Sequence, residues 1–182
     1  MNKKNANGAL VWITGLPGCG KTTLSKKLYE SINNKLFTIR MDGDVFREIM
    51  DNDLGYTIED RKKNAFRLAR MNKYLVEHGA VVICATVSLF KEVHDWNRKN
   101  INNLLEIFIE VSENVLNERD QKNLYSKGKT GETKNVYGID QSFDIPKNPD
   151  LIIKNDGSLD DFLKNTLKIE DLLKAKYDKL FL

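Results

Sequence analysis

A nine-residue stretch, GLPGCGKTT at residues 15–23, most strongly constrains what this chain can fold into. It satisfies the pattern GxxxxGK(S/T), follows the apolar run ALVWIT and leads into LSKKLYESI, which is typical of an amphipathic helix. Glycines allow the backbone to wrap closely around phosphate oxygens, and the N-terminus of the helix adds partial positive charge. The stretch therefore predicts a phosphate-binding P-loop between a buried strand and a helix.

Individual residues of the P-loop have different expected roles. Lys21 can reach the β- and γ-phosphates of a nucleotide, and the Thr22 hydroxyl can ligate Mg²⁺. Cys19 is more readily explained as a small filler of the loop than as a nucleophile, and an accidental glycine turn is the alternative to the whole motif. The expected nucleotide-binding residues are Gly15, Leu16, Pro17, Gly18, Cys19, Gly20, Lys21, Thr22 and Thr23.

Short apolar runs alternate with longer helical patterns along the chain. Strands are predicted at 9–15, 35–43, 80–87, 104–111 and 150–155, and helices at 21–32, 58–78, 90–102 and 159–176. Apolar strands separated by helices favour a parallel sheet covered on both faces, so we expect an α/β, three-layer, nucleotide-kinase-like P-loop NTPase with five parallel strands. Functional sites in such folds gather at the carboxyl ends of the strands.

One segment, residues 119–149, interrupts this alternation and is called the lid segment below. It is polar, basic in its first half and too long for a simple connection in a compact domain. We interpret it as a lid or acceptor-binding insertion in a single kinase domain spanning 1–182. A disordered excursion is the alternative, although Leu124, Tyr125, Val136, Tyr137 and Ile139 give the segment apolar groups that can pack.

Composition limits the classes of molecule that this protein is expected to bind. A net charge of +3 and a pI near 8.7 are too mild to indicate nucleic-acid binding. The two cysteines suggest a reducing cytoplasm, and the lack of a long apolar stretch predicts no membrane association. We expect a cytoplasmic protein acting on a small molecule, and the sequence leaves a homodimer open.

A P-loop alone does not define the reaction, because GTPase switches, motors and small-molecule kinases share it. The guanine-reading pattern NKxD and a DxxG after a strand are both absent from the sequence, which lowers the switch interpretation. Two classes stay open at this point: a kinase, and a nucleotide-binding regulatory or adaptor protein without phosphotransfer.

The stretch MDGDVFRE follows the second predicted strand. Asp42 and Asp44 flank a glycine, and Arg47 lies one turn further on. Carboxylates at a strand end beside Mg²⁺ can bind a metal-bound water or accept a hydroxyl proton, and Arg47 can grip a second anion. Alternatively, Asp44 only caps the helix that follows.

A second polar set lies in NDLGYTIEDRKKNAFRLAR. Asp60, Asn64 and Arg67 share one face of the predicted helix, with Arg61 alongside. Spacing alone does not distinguish a ligand-binding face from a solvated charged face.

The motifs GLPGCGKTT, DGDVFR, DLGYTIEDRKKN, ERDQKNLY and GIDQSFDIPKNPDLII occur in this order between residues 9 and 155. Together they resemble the adenylylsulfate kinase family, and the specificity of the resemblance comes from their fixed order. It implies a P-loop nucleotide kinase that transfers the γ-phosphate of MgATP to the ribose 3′-hydroxyl of adenylylsulfate.

The resemblance also implies roles for matching residues. Asp44 would be the base or the Mg²⁺ organiser, Tyr56 would face the acceptor base, and Arg119 would act from the lid segment. The expected catalytic residues are Lys21, Asp44 and Arg119, and the expected metal ligands are Thr22 and Asp44. The expected substrate-binding residues are Asp42, Asp44, Arg47, Tyr56, Arg61, Asn64, Ser88, Leu89, Phe90, Lys122, Lys127, Lys134, Val136, Tyr137, Gly138, Ile139 and Asp140.

Departures from the family pattern concentrate on the acceptor side. Val136 stands where the family commonly has the phenylalanine that pairs with the aromatic at Tyr56, which should weaken a two-sided purine clamp unless Tyr137 swings in. Leu89 replaces a proline and His94 an arginine. The stretch from 88 to 98 is also similar to kinases of bacterial capsule phosphoramidate pathways, whose acceptor is cytidine diphosphoramidate, so both acceptors stay open.

Overall fold

The computed structural model describes residues 8–120 and 123–180. Its centre is a five-stranded sheet in which every neighbouring pair is parallel, in the order β2-β3-β1-β4-β5. The strands are β1 (Ala9–Gly15), β2 (Thr38–Asp42), β3 (Val81–Ala85), β4 (Leu104–Glu110) and β5 (Leu151–Lys154). The predicted five-stranded parallel α/β fold is confirmed.

Helices connect the strands and extend beyond the last one. They are α1 (Lys21–Ile32), α2 (Gly43–Ile49), α3 (Ile58–Glu77), α4 (Lys91–Asn100), α5 (Glu113–Arg119), α6 (Leu124–Lys129), α7 (Leu159–Leu163) and α8 (Asn165–Lys176), followed by a 3₁₀ turn at Asp178–Leu180. The predicted helices at 21–32, 58–78 and 90–102 correspond to α1, α3 and α4. The single helix predicted at 159–176 is two helices, with Lys164 between them, and α2, α5 and α6 lie outside the predicted helices.

The sheet is covered on both faces, which explains why its strands are nearly continuous in apolar residues. Every residue of β1 is buried. Val11 and Ile13 point into a first core, which also contains residues of α1 and α8, whereas Leu10 and Trp12 point into a second core against α3 and α4. Among the described residues, no helix is long and apolar enough to cross a membrane.

The side chain of Glu106 is buried on the face of the sheet that packs against α4. Glu106 of β4 is 3% exposed, and it lies 2.9 Å from Nδ1 of His94 and accepts a 2.6 Å hydrogen bond from Nε of Arg98. A buried carboxylate is tolerated when such partners compensate its lost hydration. His94 and Arg98 therefore attach α4 to the sheet, which fixes the position of the loop that precedes α4.

Candidate active site

A cleft of about 330 Å³ opens beside the P-loop and is called the donor cleft. It lies where β1 ends and α1 begins, as the strand–loop–helix pattern predicts. Its walls come from the P-loop, the end of α5, the end of β5 and α7. The lining residues are Gly18, Gly20, Lys21, Thr22, Thr23, Arg119, Asn155, Gly157, Leu159 and Phe162.

The end of β5 holds the P-loop in shape. Asn155 is 5% exposed, and its Nδ2 donates a 2.9 Å hydrogen bond to the carbonyl oxygen of Cys19. Gly20 has φ of 102°, and a Cβ atom there would lie 2.8 Å from Nδ2 of Asn155. The left-handed backbone and this close approach both require glycine.

The side chain of Lys21 lies along the P-loop itself. Its Nζ donates hydrogen bonds of 3.0 Å to the Gly15 carbonyl oxygen and 2.9 Å to the Leu16 carbonyl oxygen. Phosphate oxygens are stronger acceptors for an ammonium group than neutral carbonyls, so a bound phosphate can draw Lys21 away from them. Cys19 is fully buried beneath the loop, in agreement with a filling role.

The carboxylate nearest to Thr22 is that of Asp42. The Thr22 hydroxyl donates a 3.0 Å hydrogen bond to Oδ2 of Asp42, and Oδ1 accepts a 3.0 Å bond from the backbone N–H of Asp44. Asp42 is therefore the N-cap of α2, and the alternative in which Asp44 caps this helix is wrong. The expected metal pair was Thr22 with Asp44, whereas the structure brings Thr22 to Asp42.

Thr22 and Asp42 offer oxygen ligands of the kind that Mg²⁺ prefers. Across residues 8–120 and 123–180, no group of three or more His, Cys, Asp or Glu side chains could hold a metal ion. Mg²⁺ is commonly bound by one or two protein oxygens, with waters and phosphate oxygens completing its shell.

Two residues of the lid segment contact the donor side. Arg119 lines the donor cleft and donates a 2.9 Å hydrogen bond to the Asn155 carbonyl oxygen. The hydroxyl of Tyr125 donates a 2.8 Å hydrogen bond to the carbonyl oxygen of Pro17, and burial raises the pKa of this phenol. Lys127 and Lys134 are exposed and line neither cleft, and Lys122 lies outside the described residues.

A second, smaller cavity of about 60 Å³ lies beside α2 and is called the acceptor pocket. It unites residues from the carboxyl ends of β2 and β3, from α3 and from the lid segment. The lining residues are Gly43, Asp44, Arg47, Tyr56, Arg61, Asn64, Ala65, Thr86, Val87, Ser88, Phe90 and Tyr137. Eight of these were expected to bind substrate: Asp44, Arg47, Tyr56, Arg61, Asn64, Ser88, Phe90 and Tyr137.

Two arginines concentrate positive charge beside the Tyr56 ring. The guanidinium carbon of Arg47 lies 4.7 Å from the ring centroid, and its NH1 donates to the carbonyl oxygens of Leu54 and Gly55 at 3.1 Å each. The guanidinium carbon of Arg61 lies 5.0 Å from the same centroid. Burial lowers the pKa of Arg61, which reflects how little water solvates this cation.

The aromatic ring on the lid side of the pocket belongs to position 137, as Tyr137, and not to position 136. Tyr137 is 1% exposed, and its ring stands edge-on to Phe90 at a centroid distance of 6.3 Å. Val136 is buried in the first core with Tyr125, and it packs against α6 where a Cβ at Gly128 would approach Val136 Cγ2 to 3.2 Å. Val136, which was expected to bind substrate, therefore does not line the acceptor pocket.

Asp42 lies outside the lining of the pocket, and so do four other residues that were expected to bind substrate. Leu89 is fully buried, and its carbonyl oxygen accepts from the Asp144 N–H at 3.0 Å. The Asp140 carboxylate accepts from the backbone N–H groups of Asn135 and Val136, so it shapes the turn that presents Tyr137. The remaining two are Gly138, with φ of 81°, and Ile139, whose Cδ1 approaches Gly128.

Ser88 lines the pocket with an available hydroxyl group. The residue is 6% exposed, and its Oγ makes no hydrogen bond to any of the residues that the structure describes. A buried hydroxyl without a partner is costly, so a bound ligand that hydrogen-bonds to it is favoured.

The sequence interpretation missed the donor-cleft residues at the far edge of the sheet. Asn155, Gly157, Leu159 and Phe162 follow β5 or lie in α7. A signal was present, because NDGS begins at the last residue of the strand predicted at 150–155, and polar residues at that position of a parallel sheet commonly line a site. Tyr125 was noted only as an apolar group for packing, and its hydroxyl contact was not foreseen.

A donor cleft at a P-loop, with a separate pocket beside α2, is the arrangement of a P-loop kinase. The family model described as adenylylsulphate kinase matches residues 7–154, and the chain belongs to this family. The predicted kinase is confirmed, and the regulatory or adaptor alternative is not favoured.

Individual relatives of this chain are also kinases. The cytidine diphosphoramidate kinase of Campylobacter jejuni is 42% identical over 150 residues, covering 82% of this chain and 87% of that protein. The adenylyl-sulfate kinase of Halothermothrix orenii is 34% identical over 154 residues, covering 84% and 83%. The APS kinase of Mycobacterium tuberculosis, solved in complex with AMPPNP and APS, superposes with a TM-score of 0.84 at 31% identity, covering 92% and 98%.

Proposed function

We propose that this kinase transfers the γ-phosphate of MgATP to the ribose 3′-hydroxyl of a nucleotide with a modified phosphate chain. One observation carries the proposal: the short stretch Asp42–Asp44 connects the P-loop of the donor cleft to the acceptor pocket. Asp42 binds the P-loop hydroxyl of Thr22, and Asp44 lines the acceptor pocket. A hydroxyl held beside Asp44 would therefore lie two residues along the chain from the carboxylate that contacts the P-loop.

The donor residues position and neutralise the transferring group. Thr22 and Asp42 would hold Mg²⁺, which supplies charge stabilisation to the phosphate oxygens when bound. Lys21 exchanges its carbonyl partners for phosphate oxygens, and Arg119 adds a cation from the lid side of the donor cleft. Chemistry of this kind depends mainly on positioning and electrostatics.

The acceptor residues orient the nucleotide. Asp44 accepts or orients the proton of the attacking hydroxyl, which requires a carboxylate within hydrogen-bond reach of it. Arg47, Arg61 and Asn64 bind the anionic chain and the ribose. The rings of Tyr56 and Tyr137 face the base, since stacking on aromatic side chains suits any nucleobase.

We further propose cytidine diphosphoramidate as the acceptor. The relative from Campylobacter jejuni with that activity is 42% identical, against 34% for the adenylyl-sulfate kinase of Halothermothrix orenii. The replacement of a lid-side phenylalanine by the pair Val136–Tyr137 also supports an acceptor base other than adenine. Adenylylsulfate is the second candidate, because the M. tuberculosis relative with a TM-score of 0.84 is solved with APS.

The test measures ADP formation by the purified protein with MgATP and each acceptor. We expect kcat/KM to be higher for cytidine diphosphoramidate than for adenylylsulfate. A preference for adenylylsulfate would overturn the proposed acceptor and leave the kinase assignment intact. A rate at background with both acceptors would overturn the proposed reaction.

We make three further proposals from the sequence. The first is that the protein acts in a reducing cytoplasm, which agrees with both cysteines being free and buried. The second is that the protein forms a homodimer, which the mass of the native protein in light scattering tests. The third is that residues 119–137 close over the bound nucleotides, in which case proteolytic cleavage within this range should fall when both substrates are present.

A further inference from the structure

Two segments far apart in the chain carry the tyrosine rings of the acceptor pocket. Tyr56 precedes α3, and Tyr137 lies in a turn of the lid segment. The distance between the two rings therefore depends on contacts that hold one segment against the other.

Arg61 makes the first of these contacts. Its Nε donates a 3.0 Å hydrogen bond to the Tyr56 carbonyl oxygen, and its NH2 donates a 2.8 Å bond to the Asn135 carbonyl oxygen. Its guanidinium carbon also lies 5.0 Å from the centroid of Tyr56 and 4.8 Å from that of Tyr137. The cation thus contacts both rings and both segments.

Gln141 makes a second set of contacts to the same two residues. Its Nε2 donates a 3.1 Å hydrogen bond to the Tyr56 carbonyl oxygen and a 3.0 Å bond to Oδ1 of Asn135. The side chain is well placed to hold this position, because Gln141 is 6% exposed and its backbone N–H donates to the Val136 carbonyl oxygen at 3.1 Å.

The two sets of contacts differ in what an anionic acceptor does to them. A guanidinium forms stronger hydrogen bonds with phosphate oxygens than with neutral carbonyls, so an acceptor competes with Tyr56 and Asn135 for Arg61. The amide of Gln141 is uncharged, and a phosphate attracts it far less. Gln141 can therefore keep its hydrogen bonds to Tyr56 and Asn135 when Arg61 turns to the ligand.

We propose that Gln141 is a positioning residue that holds the segments of Tyr56 and Tyr137 at a fixed separation once Arg61 has engaged the acceptor. The proposal rests on the proposed function, because it assumes that the pocket binds an anionic nucleotide. Gln141 acts through the two tyrosines and does not touch the reacting atoms.

The test substitutes Gln141→Met, which keeps the length of the side chain and removes its N–H donors. With two hydrogen bonds lost from the ligand-bound state, the KM and the calorimetric Kd for the acceptor should rise about tenfold. The KM for ATP should stay within twofold. Without acceptor, the Tm should change little because Arg61 still joins the segments, whereas the rise in Tm on adding acceptor should shrink.

Asn100→Ala is the matched control. It removes another side-chain amide, whose Nδ2 donates a 2.7 Å hydrogen bond to the Trp96 carbonyl oxygen at the end of α4. We expect acceptor affinity to be unchanged in this variant. If Gln141→Met does not fold, Gln141→Asn shortens the amide by one methylene and should weaken acceptor binding in the same direction.

The outcomes separate this inference from the proposed function. An acceptor Kd within twofold of wild type in the Gln141 variants would overturn it. A fall in Tm without acceptor, accompanied by equal losses in ATP and acceptor affinity, would also overturn it by indicating general loosening. If the wild-type protein binds an acceptor without phosphorylating it, the proposed reaction is contradicted but the inference on Gln141 is not. The ratio of the acceptor Kd in the Gln141 variants to that in wild type still tests the inference. Failure to bind either acceptor would overturn both.

Discussion

The hydroxyl oxygen of Thr22 lies 3.0 Å from Oδ2 of Asp42, which joins the first turn of α1 to the carboxyl end of β2. The same carboxylate caps α2 and lies 3.7 Å from NH1 of Arg40. Asp42 thus belongs to the donor side through Thr22 and to the acceptor side through α2, whereas Asp44, two residues on, lines the acceptor pocket.

Asp42→Asn and Asp44→Asn should therefore fail in different ways. Asp42→Asn removes the negative charge beside Thr22, so half-maximal activity should require about tenfold more Mg²⁺. Asp44→Asn should lower kcat about 100-fold or more with the same Mg²⁺ dependence, because it removes the group that handles the hydroxyl proton. Initial rates across a Mg²⁺ titration measure both. Equal Mg²⁺ requirements in the two variants would contradict the assignment of Asp42 to the metal.

The ring of Tyr137 should determine acceptor affinity. Tyr137→Thr removes the stacking face, which should raise the acceptor KM about tenfold or more. Tyr137→Phe is the control, since it keeps the ring, and its acceptor KM should stay near that of wild type.

Val136→Phe should act mainly on stability. The larger side chain must fit beside Tyr125 and Gly128 in the first core, so overpacking should lower the free energy of unfolding by about 1–3 kcal/mol. Urea denaturation measures this change. A variant of wild-type stability with a new preference for adenylylsulfate would show that position 136 reaches the acceptor after all.

Asn155→Ala should weaken both the fold and the donor site. The variant leaves the carbonyl oxygen of Cys19 without its 2.9 Å hydrogen bond, and a lost partner for a buried polar group costs about 1–3 kcal/mol of unfolding free energy. Since Asn155 supports the P-loop, the KM for ATP should rise while the acceptor Kd changes little. An unchanged KM for ATP would mean that the loop keeps its shape without Asn155.

Alkaline pH should destabilise the protein through Tyr177. Burial and the nearby Asp150 carboxylate raise the pKa of Tyr177 to about 12, and its hydroxyl donates a 2.6 Å hydrogen bond to the Leu104 carbonyl oxygen. The native state therefore retains a proton that the unfolded chain loses near pH 10, about the ordinary tyrosine pKa. The stabilisation is complete below that pH and is lost as the pH rises towards 12.

Urea denaturation between pH 9 and about pH 11 measures this effect. Tyr177→Phe should show a shallower fall in unfolding free energy over that range than wild type. Parallel pH profiles for the two proteins would contradict the contribution of Tyr177.

Local sequence patterns predicted the sheet and the P-loop because both depend on short stretches. The apolar runs of β1 and β3 mark strands buried on two faces, and GxxxxGK(S/T) defines its own backbone geometry. The short helices α2, α5 and α6 have too few residues for a clear period, and the surrounding structure stabilises them.

Tertiary contacts explain what the sequence did not predict at the site. Which of Val136 and Tyr137 lines the acceptor pocket depends on the turn built by Asn135, with φ of 65°, and by the carboxylate of Asp140. Likewise, the role of Asn155 depends on the meeting of β5 with a loop 136 residues earlier in the chain. Neither relationship leaves a periodic signal.

The placement of Val136 and Tyr137 in opposite cores bears on how such a kinase can diverge. Val136 packs with Tyr125, which is hydrogen-bonded to the P-loop, and Tyr137 faces the acceptor pocket. A single peptide bond thus separates a residue of the core that contains Tyr125 from one that lines the acceptor pocket. A substitution at Tyr137 can therefore reshape the acceptor pocket while Val136 keeps its place in the core that contains Tyr125.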